Sequence, residues 1–343
     1  MTEALSEMIP SVTTDKPRVG FLGVGWIGRH RMAAIAATGA VEIAAISDPS
    51  AEMMTEALML VPGAAIAGSL DEMLAMELDG LVIASPSAMH AGQAIRALEA
   101  GLAVFCQKPL GREAAEVRAV VSAARAADRL LAVDLSYRFT AGMQKLAELV
   151  RRGEIGHVHA IDLVFHNAYG PDKPWFYDRA LSGGGCVMDL GVHLVDLALW
   201  TMNFPELRGT VQAALSTGGV ALKSGDEAVE DFAIANFALQ DGPIVRLACS
   251  WRLHAGREAE IVASFYGTEG GAALRNVGGS FYDFTAERYR GTATETLASP
   301  PDDWGGRSAA EWARRLAAGE KFDAAAEGFV RVADVLDQIY AAA

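Results

Sequence analysis

The 343-residue sequence has few cysteines, and they lie far apart: Cys106, Cys186 and Cys249. Their odd number and their spacing exclude a disulfide framework and a cysteine metal site, so we expect buried thiols in a reducing, cytoplasmic compartment. His157 and His159 alternate on one predicted strand, and His166 has the opposite parity. We therefore expect structural roles for these histidines and no metal site.

The chain also lacks long apolar runs and clusters of basic residues. No stretch of eighteen uncharged apolar residues calls for a membrane span. Lys and Arg number 29 against 43 Asp and Glu, giving a net charge of −14. Nucleic acids and membranes are therefore not expected partners. Residues 1–17 lack the basic start and apolar block of a secretory signal, and we interpret them as a frayed leader.

Residues 17–135 alternate short apolar runs with Ala-rich helical patterns. Buried strands are predicted at 18–23, 41–47, 80–85, 102–106 and 130–135. Helices are predicted between them at about 26–38, 50–60, 70–77, 87–100 and 112–128. Strand and helix repeated in this way predict an α/β domain with a doubly wound parallel sheet of the Rossmann type.

The pattern changes in residues 136–343. A helix at about 140–152 precedes long alternating strands at 157–167, 231–240, 243–253 and 259–267. Short connections such as 240–242 predict a second α/β domain with a large, mostly antiparallel open sheet. A free sheet face of this size favours a homodimer or homotetramer formed through it. The helical segment at 308–343 could pack back on either domain, and its last helix could pack on the Rossmann domain.

Gly23, Gly25 and Gly28 follow the first predicted strand at G-x-G-x-x-G spacing. The first glycine permits a tight turn, the second admits a pyrophosphate close to the backbone, and the third lets the next helix pack on the sheet. Asp48 ends the second strand, where a carboxylate accepts hydrogen bonds from the adenosine ribose. A helix cap is the alternative role for Asp48, because Asp-Pro often begins a helix.

The same carboxylate would repel a 2′-phosphate, so we expect NAD as the cofactor. NADP stays open because Arg29 and Arg31 are close in sequence. Polar residues also follow two later strands, at the edge where a doubly wound sheet binds ligands. The predicted cofactor-binding residues are Gly23, Gly25, Trp26, Ile27, Gly28, Asp48, Ser85, Pro86, His90, Gln107 and Lys108.

Five segments occur in a characteristic order: GVGWIG (23–28), SDP (47–49), SPSAMH (85–90), QKPL (107–110) and GGGCVMDLGVHLVDLALW (183–200). Together they resemble the glucose-fructose oxidoreductase and inositol dehydrogenase family, Gfo/Idh/MocA. The resemblance spans about residues 17–343. It implies a Rossmann domain, then an α/β domain whose open sheet forms dimers or tetramers.

The resemblance implies that Lys108 matches the lysine of the family's Glu-Lys-Pro motif, which approaches substrate and nicotinamide. It also implies that Asp189 and His193 hydrogen-bond the reacting hydroxyl, with the histidine taking the proton. Their i, i+4 spacing would put both on one helix face. Gln107 replaces the motif's glutamate, so we expect Lys108 to be held less strongly as a cation and to favour a proton-accepting role.

Further residues could line the substrate side. The glycines 183–185 have no side chains to block a ligand, and Asp196 could orient His193 or satisfy a contact elsewhere. The predicted substrate-binding residues are Lys108, Tyr137, Arg138, Trp175, Asp189 and His193. Loop packing is at least as good an explanation for Tyr137, Arg138 and Trp175, and for the further candidates Phe139, Tyr169, Lys173, Phe176, Tyr177 and Arg179.

These features favour an NAD(P)-dependent oxidoreductase acting on a secondary alcohol or ketone of a sugar, inositol or related polyol. One alternative is a dinucleotide-binding regulator without turnover. Another is glycoside cleavage or epimerisation in which the hydride returns to the substrate. The presence of Lys108, Asp189 and His193 favours an enzyme, because a regulator does not need groups that move a proton.

Overall fold

The computed structural model describes residues 16–223, 225–240 and 242–343, so most of the predicted leader lies outside the described residues. The helices α1 to α10 are Trp26–Thr38, Ala51–Leu60, Leu70–Leu74, Ser87–Glu99, Ala114–Ala127, Ala141–Arg151, Arg179–Ser182, Val192–Thr201, Arg307–Ala317 and Glu327–Ala341. The strands β1 to β15 are Arg18–Leu22, Glu42–Ser47, Ala65–Ile66, Gly80–Ile83, Ala103–Cys106, Leu131–Val133, Val158–Asn167, Leu207–Thr217, Val220–Ala221, Phe232–Leu239, Ile244–Ser250, Ala259–Gly267, Gly271–Asn276, Phe284–Arg290 and Ala293–Ala298.

The first sheet is parallel throughout and has the order β3-β2-β1-β4-β5-β6. This confirms the predicted doubly wound fold. Strands β4 and β5 are buried along their whole length because helices cover both faces. The strand order reverses between β1 and β4, and this reversal opens a crevice at the carboxyl ends of the strands. The two-residue β3 was not predicted, since it is too short to produce a pattern.

The second sheet has nine strands in the order β15-β14-β13-β12-β7-β11-β10-β8-β9. Its pairs are antiparallel except β7 with β11, which are parallel. The parallel pair is allowed because helices α7 and α8 intervene between these strands in the chain, so no tight hairpin joins them. Along β10 every second residue is buried, while Ile234 on the opposite face is 44% exposed. The mostly antiparallel open sheet is confirmed.

The last two helices tie the domains together. Helix α10 packs on α5 of the first domain and α8 of the second. Its Asp337 accepts a hydrogen bond from the backbone N–H of Ala114 at 3.0 Å. Helix α9 packs on α1, and its buried Trp312 lies 5.8 Å from the ring of Phe105. Helix α9, although it lies in the range 136–343, therefore contributes Ala309, Trp312 and Ala313 to the core of the Rossmann domain.

Candidate active site

The glycine loop after β1 is shaped by close backbone contacts. Gly23 has a φ of +90°, and a Cβ there would lie 2.5 Å from the carbonyl oxygen of Ala84. A Cβ on Gly28 would lie 2.3 Å from the carbonyl oxygen of Gly23. A Cβ on Gly25, in contrast, would meet no atom within 4 Å, so the space in front of that residue is open. Open space beside backbone N–H groups at a helix N-terminus fits a pyrophosphate.

Asp48 holds this loop against the end of β2. Its Oδ2 accepts from the backbone N–H of Val24 at 2.8 Å, and its Oδ1 accepts from the N–H of Ser50 at 2.9 Å. The carboxylate therefore supports the loop and the start of α2. Each oxygen retains a lone pair, which leaves acceptors for ribose hydroxyls.

The two arginines that left NADP open have partners within the protein. Arg29 donates to the carbonyl oxygen of Val24 at 2.7 Å and forms an ion pair with Glu56. Arg31 is buried, and its Nε lies 2.6 Å from Asp134 Oδ2. Both guanidinium groups are thus held by contacts that a 2′-phosphate would have to replace.

Lys108 reaches across the cleft from the end of β5 to the second domain. Its Nζ donates to Asp189 Oδ1 at 2.5 Å and to the Asp189 carbonyl oxygen at 2.8 Å. Asp189 Oδ2 accepts from Trp251 Nε1 at 3.0 Å. The Lys108 and Asp189 side chains are 20% and 15% exposed, so a small ligand can reach them. Trp251 was not predicted, because nothing in its strand pattern distinguishes it from a core residue.

His193 is largely buried on α8. Its ring centroid lies 4.9 Å from that of Tyr137 and 6.5 Å from that of Phe165. Burial, helped by the charges of Lys108 and Arg31, holds the pKa of His193 well below its ordinary value. The imidazole is therefore neutral at neutral pH, and its Nδ1 has no protein partner among the described residues. A neutral imidazole can accept a proton.

The helix that carries these groups is not regular. Val187–Gly191 forms a turn of π-helix that leads directly into α8. Asp189 lies in the π turn and His193 in the α-helix, so the single regular face predicted from i, i+4 spacing is wrong in detail. The extra residue in a π turn changes the direction of the side chains, and such turns are frequent at functional sites.

Residues 17–135 match an oxidoreductase family with an NAD-binding Rossmann fold. Residues 143–273 match the GFO/IDH/MocA C-terminal domain, so the two matches together cover most of the chain. The chain belongs to the Gfo/Idh/MocA family. It is an NAD(P)-dependent oxidoreductase, as the sequence predicted.

Several relatives of this chain are named as enzymes that act on carbohydrates or inositol. D-glucoside 3-dehydrogenase of Escherichia coli (strain K12) is 26% identical over 78% of this chain and 79% of its own length. Inositol 2-dehydrogenase of Acidiphilium cryptum (strain JF-5) is 32% identical over 54% of each chain. The crystal structure of GenD2 from gentamicin A biosynthesis, in complex with NAD, is 26% identical, has a TM-score of 0.79 and covers 96% of this chain and 94% of its own.

Within this family member, the glycines 183–185 do not open a ligand path, so that prediction is wrong. A Cβ on Gly184 would lie 1.9 Å from the Tyr340 hydroxyl, and one on Gly185 would lie 1.9 Å from the Glu230 carbonyl oxygen. Glu230 Oε1 accepts from the N–H groups of Gly185 and Val187, each at 2.9 Å. Gly184 and Gly185 are therefore required for packing against α10 and the segment before β10, and Gly183 packs against Arg112.

Asp196 was expected either to orient His193 or to make a contact elsewhere, and its hydrogen-bond partner is Arg138. Arg138 Nε donates to Asp196 Oδ2 at 2.7 Å, and its Nη2 donates to Oδ1. Burial raises the pKa of the Asp196 carboxyl, while Arg138 opposes that shift. Arg138 also stacks over Phe204, 5.3 Å from the ring centroid. Arg138 was predicted to bind substrate, and the structure places its guanidinium in contacts inside the domain.

The side chains of His90 and Gln107, predicted to bind the cofactor, are buried and hydrogen-bonded within the protein. His90 is 1% exposed, and its two ring nitrogens lie 2.7 Å from the carbonyl oxygens of Ser85 and Pro109. It thereby joins the two loops that border the crevice. Gln107 is buried and donates from Nε2 to Asp134 Oδ2 at 2.6 Å. Its amide faces Asp134, so the interpretation that it loosens the hold on the Lys108 cation is wrong, because Asp189 is the counter-ion.

The remaining predicted residues surround the crevice. Trp26 is 63% exposed beside Gly25, while Ile27, Ser85 and Pro86 are half-buried at the same edge. Trp175 stacks on Phe176 with ring centroids 3.8 Å apart. Phe176 in turn packs on Trp251, which connects this loop to Asp189. Of the loop's other candidates, Tyr169, Lys173, Tyr177 and Arg179 are exposed.

Tyr282 is a further rim residue that was not predicted, and it is 54% exposed. Its carbonyl oxygen accepts from Trp304 Nε1 at 2.8 Å, and the Trp304 ring lies 4.9 Å from that of Tyr137. Among the residues that the structure describes, no group of His, Cys, Asp and Glu side chains has a metal-binding arrangement. No described helix is long and apolar enough to cross a membrane.

Proposed function

We propose that this oxidoreductase transfers hydride between NAD and a secondary alcohol or ketone of a sugar, an inositol or a related polyol. The observation that carries the proposal is the pair of Lys108 and Asp189 beside a neutral His193, at the carboxyl ends of the Rossmann strands. A cation, a hydrogen-bonding carboxylate and a proton acceptor are the groups that alcohol oxidation requires from a protein.

The open space at Gly25 and the free lone pairs of Asp48 fit a dinucleotide along the glycine loop. NAD, when bound, supplies the hydride acceptor. Lys108 Nζ binds the reacting oxygen and stabilises the charge that develops on it. Asp189 orients Lys108 and the substrate hydroxyl, and His193 accepts the hydroxyl proton during oxidation or returns it during reduction.

The preference for NAD over NADP rests on charge. The carboxylate of Asp48 is half-buried beside the glycine loop, where it would repel a 2′-phosphate. Arg29 and Arg31 are engaged with Glu56 and Asp134, and would have to leave these partners to bind a phosphate. The relative structure in complex with NAD supports the same choice.

Two observations support a sugar or polyol as the substrate. Relatives are named as dehydrogenases of a D-glucoside and of inositol. Aromatic side chains lie near the site. Trp175 is linked to it through Phe176 and Trp251, and the exposed Tyr282 is linked to it through Trp304 and Tyr137. An aromatic face with a polar tip suits a sugar ring, which has apolar C–H faces and hydroxyls at its edges.

The test is turnover of a panel of glucosides, inositols and reduced sugars, with NADH absorbance and product analysis measured together. We expect NADH to accumulate with at least one secondary alcohol, and Lys108→Met to abolish that accumulation. Tight NAD binding without any turnover would favour the regulator. Product formation without net NADH would favour cleavage or epimerisation with returned hydride.

We also propose that the free face of the nine-stranded sheet forms a homodimer or homotetramer, in a cytoplasmic setting. Ile234 and Ile244 are 44% and 60% exposed on that sheet, and the three cysteines are buried free thiols. Light scattering after size-exclusion chromatography tests the assembly. We expect Ile244→Glu to lower the measured mass to that of a monomer, and an unchanged mass would contradict the proposed interface.

A further inference from the structure

A buried carboxylate lies behind the active-site lysine. Asp134, just after β6, is 1% exposed. Its Oδ2 accepts from Arg31 Nε and from Gln107 Nε2, each at 2.6 Å, and its Oδ1 has no partner among the described residues. None of these three side chains is assigned a contact with substrate or cofactor in the chemistry proposed above.

The three residues come from three elements of the Rossmann domain that border the candidate active site. Arg31 lies on α1, which begins at the glycine loop. Gln107 directly precedes Lys108 at the end of β5. Asp134 lies two residues before the 3₁₀ turn Ser136–Phe139, whose Tyr137 packs on His193. A displacement of Asp134 would therefore move the lysine and the neighbour of the histidine together.

The charges explain why residue 107 is a glutamine in this chain. The Arg31 and Asp134 side chains are 7% and 1% exposed, so each is the necessary counter-charge of the other. Lys108 is neutralised separately by Asp189. A glutamate at position 107 would place a second buried carboxylate within hydrogen-bond distance of Asp134, and two such carboxylates repel each other.

We propose that Arg31, Asp134 and Gln107 form a positioning network that holds Lys108 against Asp189, and that positions 107 and 134 together accommodate one carboxylate. The part of this proposal that concerns catalysis rests on the proposed function. The part that concerns the placement of Lys108 does not. The network acts through Lys108 and Tyr137, so its members are positioning residues.

The test compares Gln107→Glu, Asp134→Asn and the double variant, in which the carboxylate moves from position 134 to position 107. Each single variant should lower kcat by about 10- to 100-fold, because a small displacement of a reacting group has effects of this order. KM and the Kd of NADH should change by less than about threefold, since the contacts of the glycine loop remain. The double variant should recover most of kcat, because one carboxylate again faces Arg31.

A second readout needs no substrate. The rate at which acetic anhydride modifies Lys108 is measured by peptide mass spectrometry in the apoprotein. It should rise several-fold in each single variant, as Lys108 leaves Asp189, and return towards the native rate in the double variant. If the native protein oxidises no polyol, the proposed function fails while this labelling still tests the network.

Two further variants serve as controls, one in case Asp134→Asn does not fold and one for the general effect of a carboxylate-to-amide change. Gln107→Met preserves side-chain volume and charge and removes only the donor to Asp134, so it should also raise the labelling rate even if Asp134→Asn does not fold. Glu154→Gln makes the matching carboxylate-to-amide change in an ion pair with Arg288, which is 14% exposed. It should lower Tm without changing Lys108 labelling. Native kcat and labelling in Gln107→Glu, or a double variant no better than the worse single variant, would overturn the proposal.

Discussion

The Nζ of Lys108 lies 2.5 Å from Oδ1 of Asp189, and the two residues belong to different domains. Lys108 follows a Rossmann strand, whereas Asp189 lies in the π turn that precedes α8. The ion pair therefore crosses the cleft that the dinucleotide and the substrate would share. This geometry makes the active site a property of the domain arrangement rather than of either domain.

Lys108→Met should lower kcat by about 10²- to 10⁴-fold, because the cation that stabilises charge on the reacting oxygen is lost. The Kd of NADH should stay within a few-fold of the native value, since Asp48 and the glycine loop are unchanged. Steady-state kinetics and NADH fluorescence titration measure the two effects. The control is Lys145→Met, on an exposed lysine of α6, and it should leave both values unchanged. Native kcat in Lys108→Met would remove the lysine from the mechanism.

Stability should fall as the pH drops below about 6.5, the ordinary histidine pKa in an unfolded chain. Burial lowers the pKa of His193 and of His90 in the folded state. As the pH falls, these histidines are therefore protonated in the unfolded chain before they are protonated in the folded protein. Each unit of difference between the folded and unfolded pKa values corresponds to about 1.4 kcal/mol in the free energy of unfolding. Tm measured from pH 8 to pH 5 tests this dependence. His193→Gln should flatten the curve, whereas His254→Gln, on an exposed side chain, should not.

Asp48→Asn should raise the ratio of kcat/KM for NADP to that for NAD by about tenfold or more, because removal of a like charge relieves a repulsion of several kcal/mol. The amide oxygen can still accept from Val24 N–H, so the loop should be retained. The N–H of Ser50 loses its acceptor, so Tm should fall slightly. Asp48→Ala removes the acceptor as well and should lower Tm. Initial rates with both cofactors and thermal melts separate the two roles. An unchanged cofactor ratio in both variants would show that Asp48 only caps the loop.

Arg138→Met should destabilise the fold by about 3–5 kcal/mol, because it leaves Asp196 buried and unpaired. Asp196 is 2% exposed at its side chain. The double variant Arg138→Met with Asp196→Leu should be closer to native stability, since no charge is then buried alone. Urea unfolding of the three variants measures both effects. A loss of substrate affinity without a loss of stability in Arg138→Met would restore the original prediction that Arg138 binds substrate.

Much of the fold could be predicted from local patterns. Short buried strands that alternate with Ala-rich helices indicated the parallel sheet, and the spacing of Gly23, Gly25 and Gly28 indicated the dinucleotide loop. These features can be predicted from sequence because a buried parallel strand and a tight turn each limit which residue types can occupy a few neighbouring positions. The motifs around Lys108 and Asp189 also indicated the family.

The partners of the polar residues could not be predicted in the same way. The glycines 183–185 looked like an opening and proved to be packing positions against Tyr340 and Glu230. Gln107 looked like a neighbour of the lysine charge, but its amide faces Asp134. In each case the deciding atom lies far away in sequence, and spacing carries no information about it.

The sequence by itself determined the class of fold, the dinucleotide loop and the family, because these depend on periodicity and on backbone constraints within short segments. Only the tertiary structure decided which charges meet. Arg31 and Asp134 are 103 residues apart, Lys108 and Asp189 are 81 apart, and Arg138 and Asp196 are 58 apart. A buried charge needs a counter-charge, but many residues can supply it. Packing within each domain and between the two domains selects the one that does.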